Sequence, residues 1–242
     1  MENFFLTEYF DWPQARSSKR VELANRLLEK LGFWTRLQPP VYTGSMTNIE
    51  QRMNMYHLVS QPLAYHVPGD LVELGCNDGR SAVLIHKVMA HHDPSRKLHV
   101  YDSFEGLPKA HAHDGSDYFA GQMQTTRDKL LANFKRYDLP PPEIHAGWFS
   151  DTLPDQLPDR ISFAHLDGDF YESILVSLKH VYPRMPPGAI CLIDDYSDPD
   201  VHVGWNKLPG VKRACDEFLA DKPEEVSLIY AGDFTHGFFR KQ

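Results

Sequence analysis

Two apolar runs near the end of the chain, 226–231 and 236–241, are separated by only four residues around Gly232-Asp233. A crossover between parallel strands needs about a dozen residues or more, so this pair is predicted to form an antiparallel hairpin. Upstream the pattern differs. From Asp70 onward, short Val-, Ile-, Leu- and aromatic-rich runs at 70–76, 97–103, 143–148, 161–167 and 188–194 alternate with helical stretches at 80–91, 122–137, 171–182 and 211–221. Such alternation marks parallel strands joined by helical crossovers. Within 122–137, Leu130, Leu131 and Phe134 supply an apolar stripe while Arg127, Lys129, Lys135 and Arg136 face outward. The expected fold is α/β, a sheet of seven strands whose last strand runs antiparallel, with helices on both faces.

Residues 1–44 read differently. The stretch 19–31 is an amphipathic helix followed by a Pro39-Pro40 break, predicted to form an N-terminal helical cap or lid, or an oligomer contact, ahead of the main domain at 45–242. At 42% hydrophobic and 24% charged the composition is that of a globular protein. No apolar run approaches the roughly 20 residues of a membrane span, and the first residues lack the basic and apolar regions of a secretory signal. Cys76, Cys191 and Cys215 have no CxxC spacing and are expected as reduced thiols in a cytoplasmic protein. A net charge of −8 disfavours a nucleic-acid binder, which needs a basic face. Residues 163–200 hold seven acids and two bases, so five of the eight excess charges lie there.

Three motifs point to chemistry. In the first, Val72-Glu73-Leu74-Gly75-Cys76-Asn77-Asp78-Gly79-Arg80-Ser81, a strand ends in a glycine turn that opens a helix, where backbone and helix N–H groups can approach a bound nucleoside. In the second, Asp102-Ser103-Phe104-Glu105-Gly106-Leu107-Pro108, Asp102 closes the next strand. A carboxylate there can accept both hydroxyls of a ribose, or simply cap the turn. The third joins Leu166-Asp167-Gly168-Asp169-Phe170-Tyr171-Glu172 to Leu192-Ile193-Asp194-Asp195-Tyr196 at the ends of two strands expected to be neighbours, about 4.8 Å apart. Carboxylates converging there would repel one another unless a divalent cation joined them, and all-oxygen ligands favour Mg²⁺.

A seven-stranded sheet with this ending is the Rossmann-like arrangement of class I methyltransferases; a sheet of the NAD-binding type does not end this way. The segments 102–108, Asp151-Thr152-Leu153-Pro154, 166–173 and 193–196 together resemble the macrocin O-methyltransferase (TylF/MycF/NovP) family from about Ser45 to the C-terminus. That resemblance implies an S-adenosylmethionine- and Mg²⁺-dependent enzyme methylating a sugar hydroxyl of a small-molecule acceptor, a glycosylated natural product such as an antibiotic, and assembling as a dimer or higher oligomer. It implies metal ligation by Asp167, Asp194 and Asp195, with Asp169 as general base and Asp167 sharing the catalytic centre. Cofactor contacts are implied for Ser45 and Met46 at the methionine end, and for Gly147, Trp148, Phe149 and Ser150 around the adenine. Glu73, Gly75, Cys76, Asn77, Gly79, Ser81, Asp102, Ser103, Phe104 and Asp167 complete the expected cofactor site. The family's Thr-Met pair is Ser45-Met46 here, and Asn77 stands where the middle glycine of the loop is expected.

Three other readings share some of these residues. A catechol-type O-methyltransferase would present an aromatic diol to the same cation. A metal-dependent glycosyltransferase would use Asp167-Gly168-Asp169 to hold a sugar nucleotide, and a binding module would hold the cofactor without turnover. His91-His92 and His111-Ala112-His113-Asp114 read as surface or loop histidines, and Trp12, Trp34 and Trp205 as packing or lid residues.

Overall fold

The computed structural model describes residues 4–9, 19–35, 37, 47–201, 206–232 and 234–242. Ser45, Met46, Trp12 and Trp205 lie outside them. The chain divides into two compact units, Met1–Asn48 and Ile49–Gln242. The first carries a short π-helical turn at Phe5–Tyr9 and helix α1, Lys19–Lys30. Trp34 is fully exposed there, so of its expected roles packing is not met.

The second unit holds strands β1 (Asp70–Leu74), β2 (Leu98–Asp102), β3 (Glu143–Ala146), β4 (Ile161–Leu166), β5 (Ile190–Asp194), β6 (Ser227–Ala231) and β7 (Phe234–Arg240). Their order is β3-β2-β1-β4-β5-β7-β6. Pairing is parallel from β3 through β5, while β7 lies antiparallel between β5 and β6, as the short terminal connection requires. Strands β1, β4 and β5 are buried on both faces, which is why they read as continuous apolar runs.

Helices α2 (Ile49–Ala64), α3 (Arg80–His92), α4 (Arg127–Arg136), α5 (Phe149–Gln156), α6 (Tyr171–Val181) and α7 (Pro209–Leu219) complete the unit. α2 packs on α3, and α6 on α5 and α7. The main core gathers Val72, Leu74, Leu166 and Ile193 of the sheet with Ile174, Leu178, Val211 and Ala214 of α6 and α7. Strand order reverses between β1 and β4, and in open α/β sheets ligands bind at such a switch point, outside the carboxyl ends of the strands.

Three expectations are corrected. Helices α2 and α5 lie where the sequence reading places no element, and the helix predicted at 122–137 is shorter. It begins where Thr126 caps it, its hydroxyl accepting from Lys129 N at 3.3 Å, an N-cap worth about 1 kcal/mol. Its buried Leu130 sits against Gly79, where an added Cβ would lie 2.8 Å from Leu130 Cγ, so α4 seats the glycine loop.

Candidate active site

Each of four neighbouring strands is followed within three residues of its end by a non-glycine residue at positive φ: Asn77 (45°) after β1, Phe104 (59°) after β2, Asp169 (58°) after β4 and Asp195 (56°) after β5. Asn and Asp tolerate this region, so Asn77 takes the conformation for which a glycine is expected. Phe104 is the strained case, since a bulky residue there costs about 1–3 kcal/mol, and such residues cluster at binding sites. Gly75, at φ 93°, allows the closest approach: a Cβ on it would lie 1.8 Å from the Asp167 carbonyl oxygen.

Asp102 binds the loop around it. Its Oδ2 accepts from Asn77 N at 2.8 Å and its Oδ1 from Phe104 N at 2.7 Å, tying the end of β2 to the glycine turn. Burial raises its carboxyl above the usual range, against the lowering effect of these amides. Each oxygen keeps a second lone pair for a ribose hydroxyl. Ser103 Oγ accepts from Glu105 N at 3.1 Å, and Gly147 N donates to Asp102 O at 2.9 Å, bringing the half-buried Trp148 and Phe149 to the end of β3. Ser81 lies in the first turn of α3, and Cys76 is buried with its thiol pushed up by that burial, as expected for packing and not for a nucleophile.

Glu73 departs from the expected cofactor contact. Its side chain is fully buried and receives His165 Nδ1 at 2.8 Å, across the parallel register that pairs the two residues. Burial acts to lower His165, but the Glu73 carboxylate outweighs it and holds the imidazole above its usual range.

The acids gather at the ends of β4 and β5 in two groups of the described residues, neither of which holds the expected set Asp167, Asp194 and Asp195 together. Single carboxylate oxygens of Asp167, Asp169 and Asp195 lie within 4.8 Å of one another, and so do ligand atoms of His165, Asp167 and Asp194. Burial first, then the Asp194 charge, raises Asp167, Asp169 and Asp195, with Asp169 at about 7. Asp194 is the exception: burial pushes it up, but His236 beside it holds it below the usual range. After burial, the largest charges acting on Asp167 belong to acids, namely Asp194, Asp169, Asp195 and Glu73. Oxygens at this spacing fit one hard cation with bonds of about 2.1 Å, whose ligands lie about 3–4.2 Å apart.

Asp114 is a supporting residue that sequence reasoning missed. It is buried, and its carboxylate accepts from Tyr171 N at 2.6 Å and from His111 N at 2.8 Å, anchoring the 111–114 turn to the start of α6 beside Asp169. The Tyr118 phenol is raised by burial and by the charges of Asp195 and Asp169, which places it on the acidic side of the site.

Residues 9–240 match the family described as macrocin-O-methyltransferase (TylF). The chain belongs to that family. It is therefore a class I S-adenosylmethionine-dependent O-methyltransferase, and the glycosyltransferase and binding-module readings fall. The chain is 37% identical over 65% of its length, and 64% of the relative's, to an 8-demethyl-8-(2,3-dimethoxy-alpha-L-rhamnosyl)-tetracenomycin-C 4'-O-methyltransferase of Streptomyces olivaceus. It is 32% identical to the demethyldecarbamoylnovobiocin O-methyltransferase of Streptomyces niveus, over 78% of this chain and 74% of that one. The structure of the O-methyltransferase NovP superposes with a TM-score of 0.67 at 28% identity, covering 94% of this chain and 90% of that chain. Among the described residues no helix is long and apolar enough to cross a membrane.

Proposed function

We propose that this methyltransferase acts on a sugar hydroxyl of a glycosylated natural product and holds Mg²⁺ on Asp167, Asp194 and Asp195. The observation that carries the reading is the convergence of carboxylates at the ends of β4 and β5, next to the nucleoside-type loop of β1. The printed activities of the relatives support it, one being methylation at a 4' oxygen of a rhamnosyl compound.

In this reading Asp102 receives the ribose hydroxyls and the amino end of α3 with Gly75 and Gly79 gives the cofactor backbone contact. Trp148 and Phe149 flank the adenine. Asp169 takes the proton from the acceptor hydroxyl, which then attacks the methyl in line from about 3–3.5 Å. When bound, the cation supplies Lewis acidity that lowers the pKa of that hydroxyl. Tyr118 borders the acceptor.

The test supplies S-adenosylmethionine with either a glycoside carrying neighbouring free hydroxyls or a free catechol, and reads product mass with and without EDTA. Methylation of the glycoside, lost in EDTA, is expected. Methylation of the catechol alone would favour the aromatic reading, and full activity in EDTA would remove the cation.

A second expectation concerns pH. An acid whose folded pKa is raised keeps its proton in the folded state after the unfolded chain has released it. The metal-free protein therefore loses stability as pH rises from the ordinary value of 3.8 toward about 7 for Asp169. A cation replaces the missing protons, so the Tm increase caused by Mg²⁺ or Mn²⁺ should be larger at about pH 8 than at about pH 6. An equal shift at both values would contradict the raised carboxylates.

A further inference from the structure

The terminal hairpin does more than close the sheet. Because β7 runs antiparallel to β5 in the register Asp194↔His236, it sets a buried imidazole directly opposite Asp194. His236 Nε2 lies 2.9 Å from Asp194 Oδ1. The same oxygen accepts from Asp195 N at 3.1 Å and from Gln51 Nε2 at 3.3 Å. Three donors thus converge on one carboxylate oxygen.

The imidazole is itself oriented. In the neutral tautomer with its proton on Nε2, Nδ1 accepts, and Asn54 Nδ2 stands 3.5 Å from Nδ1 while also donating to Tyr230 O at 2.9 Å. The tautomer is assigned from this network. Gln51 and Asn54 are three residues apart on α2, hence on one face of that helix. One helix and one strand therefore bring their polar groups to the same carboxylate.

We propose that His236, with Gln51 beside it on Asp194 and Asn54 behind it, is a positioning residue that fixes Asp194 as a preformed cation ligand. With Oδ1 committed to three donors, ligation falls to Oδ2. The carboxylate cannot rotate to offer its oxygens in turn, and the entropy of orienting it is lost in folding instead of on cation binding. Outer partners of this kind change metal affinity by about 10–100-fold when removed. The inference rests on the cation reading above.

The experiment titrates Mn²⁺ into the full chain with S-adenosylhomocysteine present, following the free-ion EPR signal. Separate calorimetry gives the S-adenosylhomocysteine Kd without metal. Expected for His236→Leu is a Mn²⁺ Kd weakened by about 10–100-fold, with the metal-free cofactor Kd within about twofold of wild type. His236→Gln, which restores an N–H donor, should recover most of that loss. Mn²⁺ affinity unchanged in His236→Leu, or cofactor affinity lost in proportion, overturns the positioning role. Where His236→Leu does not fold, Gln51→Leu decides: several-fold weaker Mn²⁺ supports the role, and wild-type affinity overturns it. The two failures are distinguishable. If wild type binds no Mn²⁺, the cation reading falls and takes this one with it; if wild type binds, Asp195→Asn does not, and His236→Leu binds normally, only the positioning role falls.

Discussion

Asn in place of Asp169 is expected to lower kcat by about 10²–10⁴-fold while leaving the S-adenosylhomocysteine Kd within about threefold. The reasoning starts from the backbone. Asp169 sits at φ 58°, where Ala would be strained and Asn is at ease, so the substitution keeps the loop. It also keeps the size of the side chain. What it removes is the ability to take a proton; in the metal-free protein the carboxyl it replaces is raised to about 7, by burial and then by Asp194. A base near the working pH is the most effective one, being ionised often enough to act and basic enough to drive transfer. Steady-state kinetics with a glycoside acceptor, paired with calorimetry, checks this. A kcat within tenfold of wild type would pass the role of base to another group.

The terminal spacing made the fold legible, because the four residues between the two apolar runs, two between the strands as they form, leave only a hairpin, and an antiparallel last strand then orders the rest of the sheet. The acids were legible for a related reason: Asp167 and Asp194 close two apolar runs, and neighbouring strands place their ends together. Less could be read where polar and apolar residues mix. Helix α2 buries Gln51 along with Met55, Leu58, Val59, Pro62 and Leu63, an arc too broad and too interrupted to stand out as a stripe. In α5, Pro154 within Asp-Thr-Leu-Pro suggests a break, yet the helix continues around it. His165 and His236, two of the three buried histidines, escaped attention in a chain with thirteen. A signal did exist. His165 interrupts an otherwise apolar strand, and Glu73 does the same on the next one. Two polar interruptions on adjacent buried strands imply a pair, because neither group can be buried alone at low cost.

Gly75→Ala is expected to be the most damaging single-methyl change in the molecule. The residue stands at φ 93°, and the new Cβ would fall 1.8 Å from the Asp167 carbonyl oxygen and 2.7 Å from its carbon. The obstacle is backbone, so no side chain can swing away to make room. Nor can the two strand ends separate freely, since Asp167 N donates to Leu74 O at 2.8 Å and Gly75 N to Tyr101 O at 2.8 Å. Relief requires β1 to part from β4 at the point where the glycine turn and the acidic loop meet. The cost should exceed about 4 kcal/mol, the range reached only when a buried backbone contact or core is broken. At roughly 2–4 °C per kcal/mol for a chain of this size, Tm should fall by about 10 °C or more. S-adenosylhomocysteine binding should fail with it, because the same displacement moves Asp167 and the loop that follows. Thermal unfolding and calorimetry on the soluble fraction measure both. A variant that melts within about 2 °C of wild type and binds the cofactor normally would mean that the two strand ends are not pressed together as described.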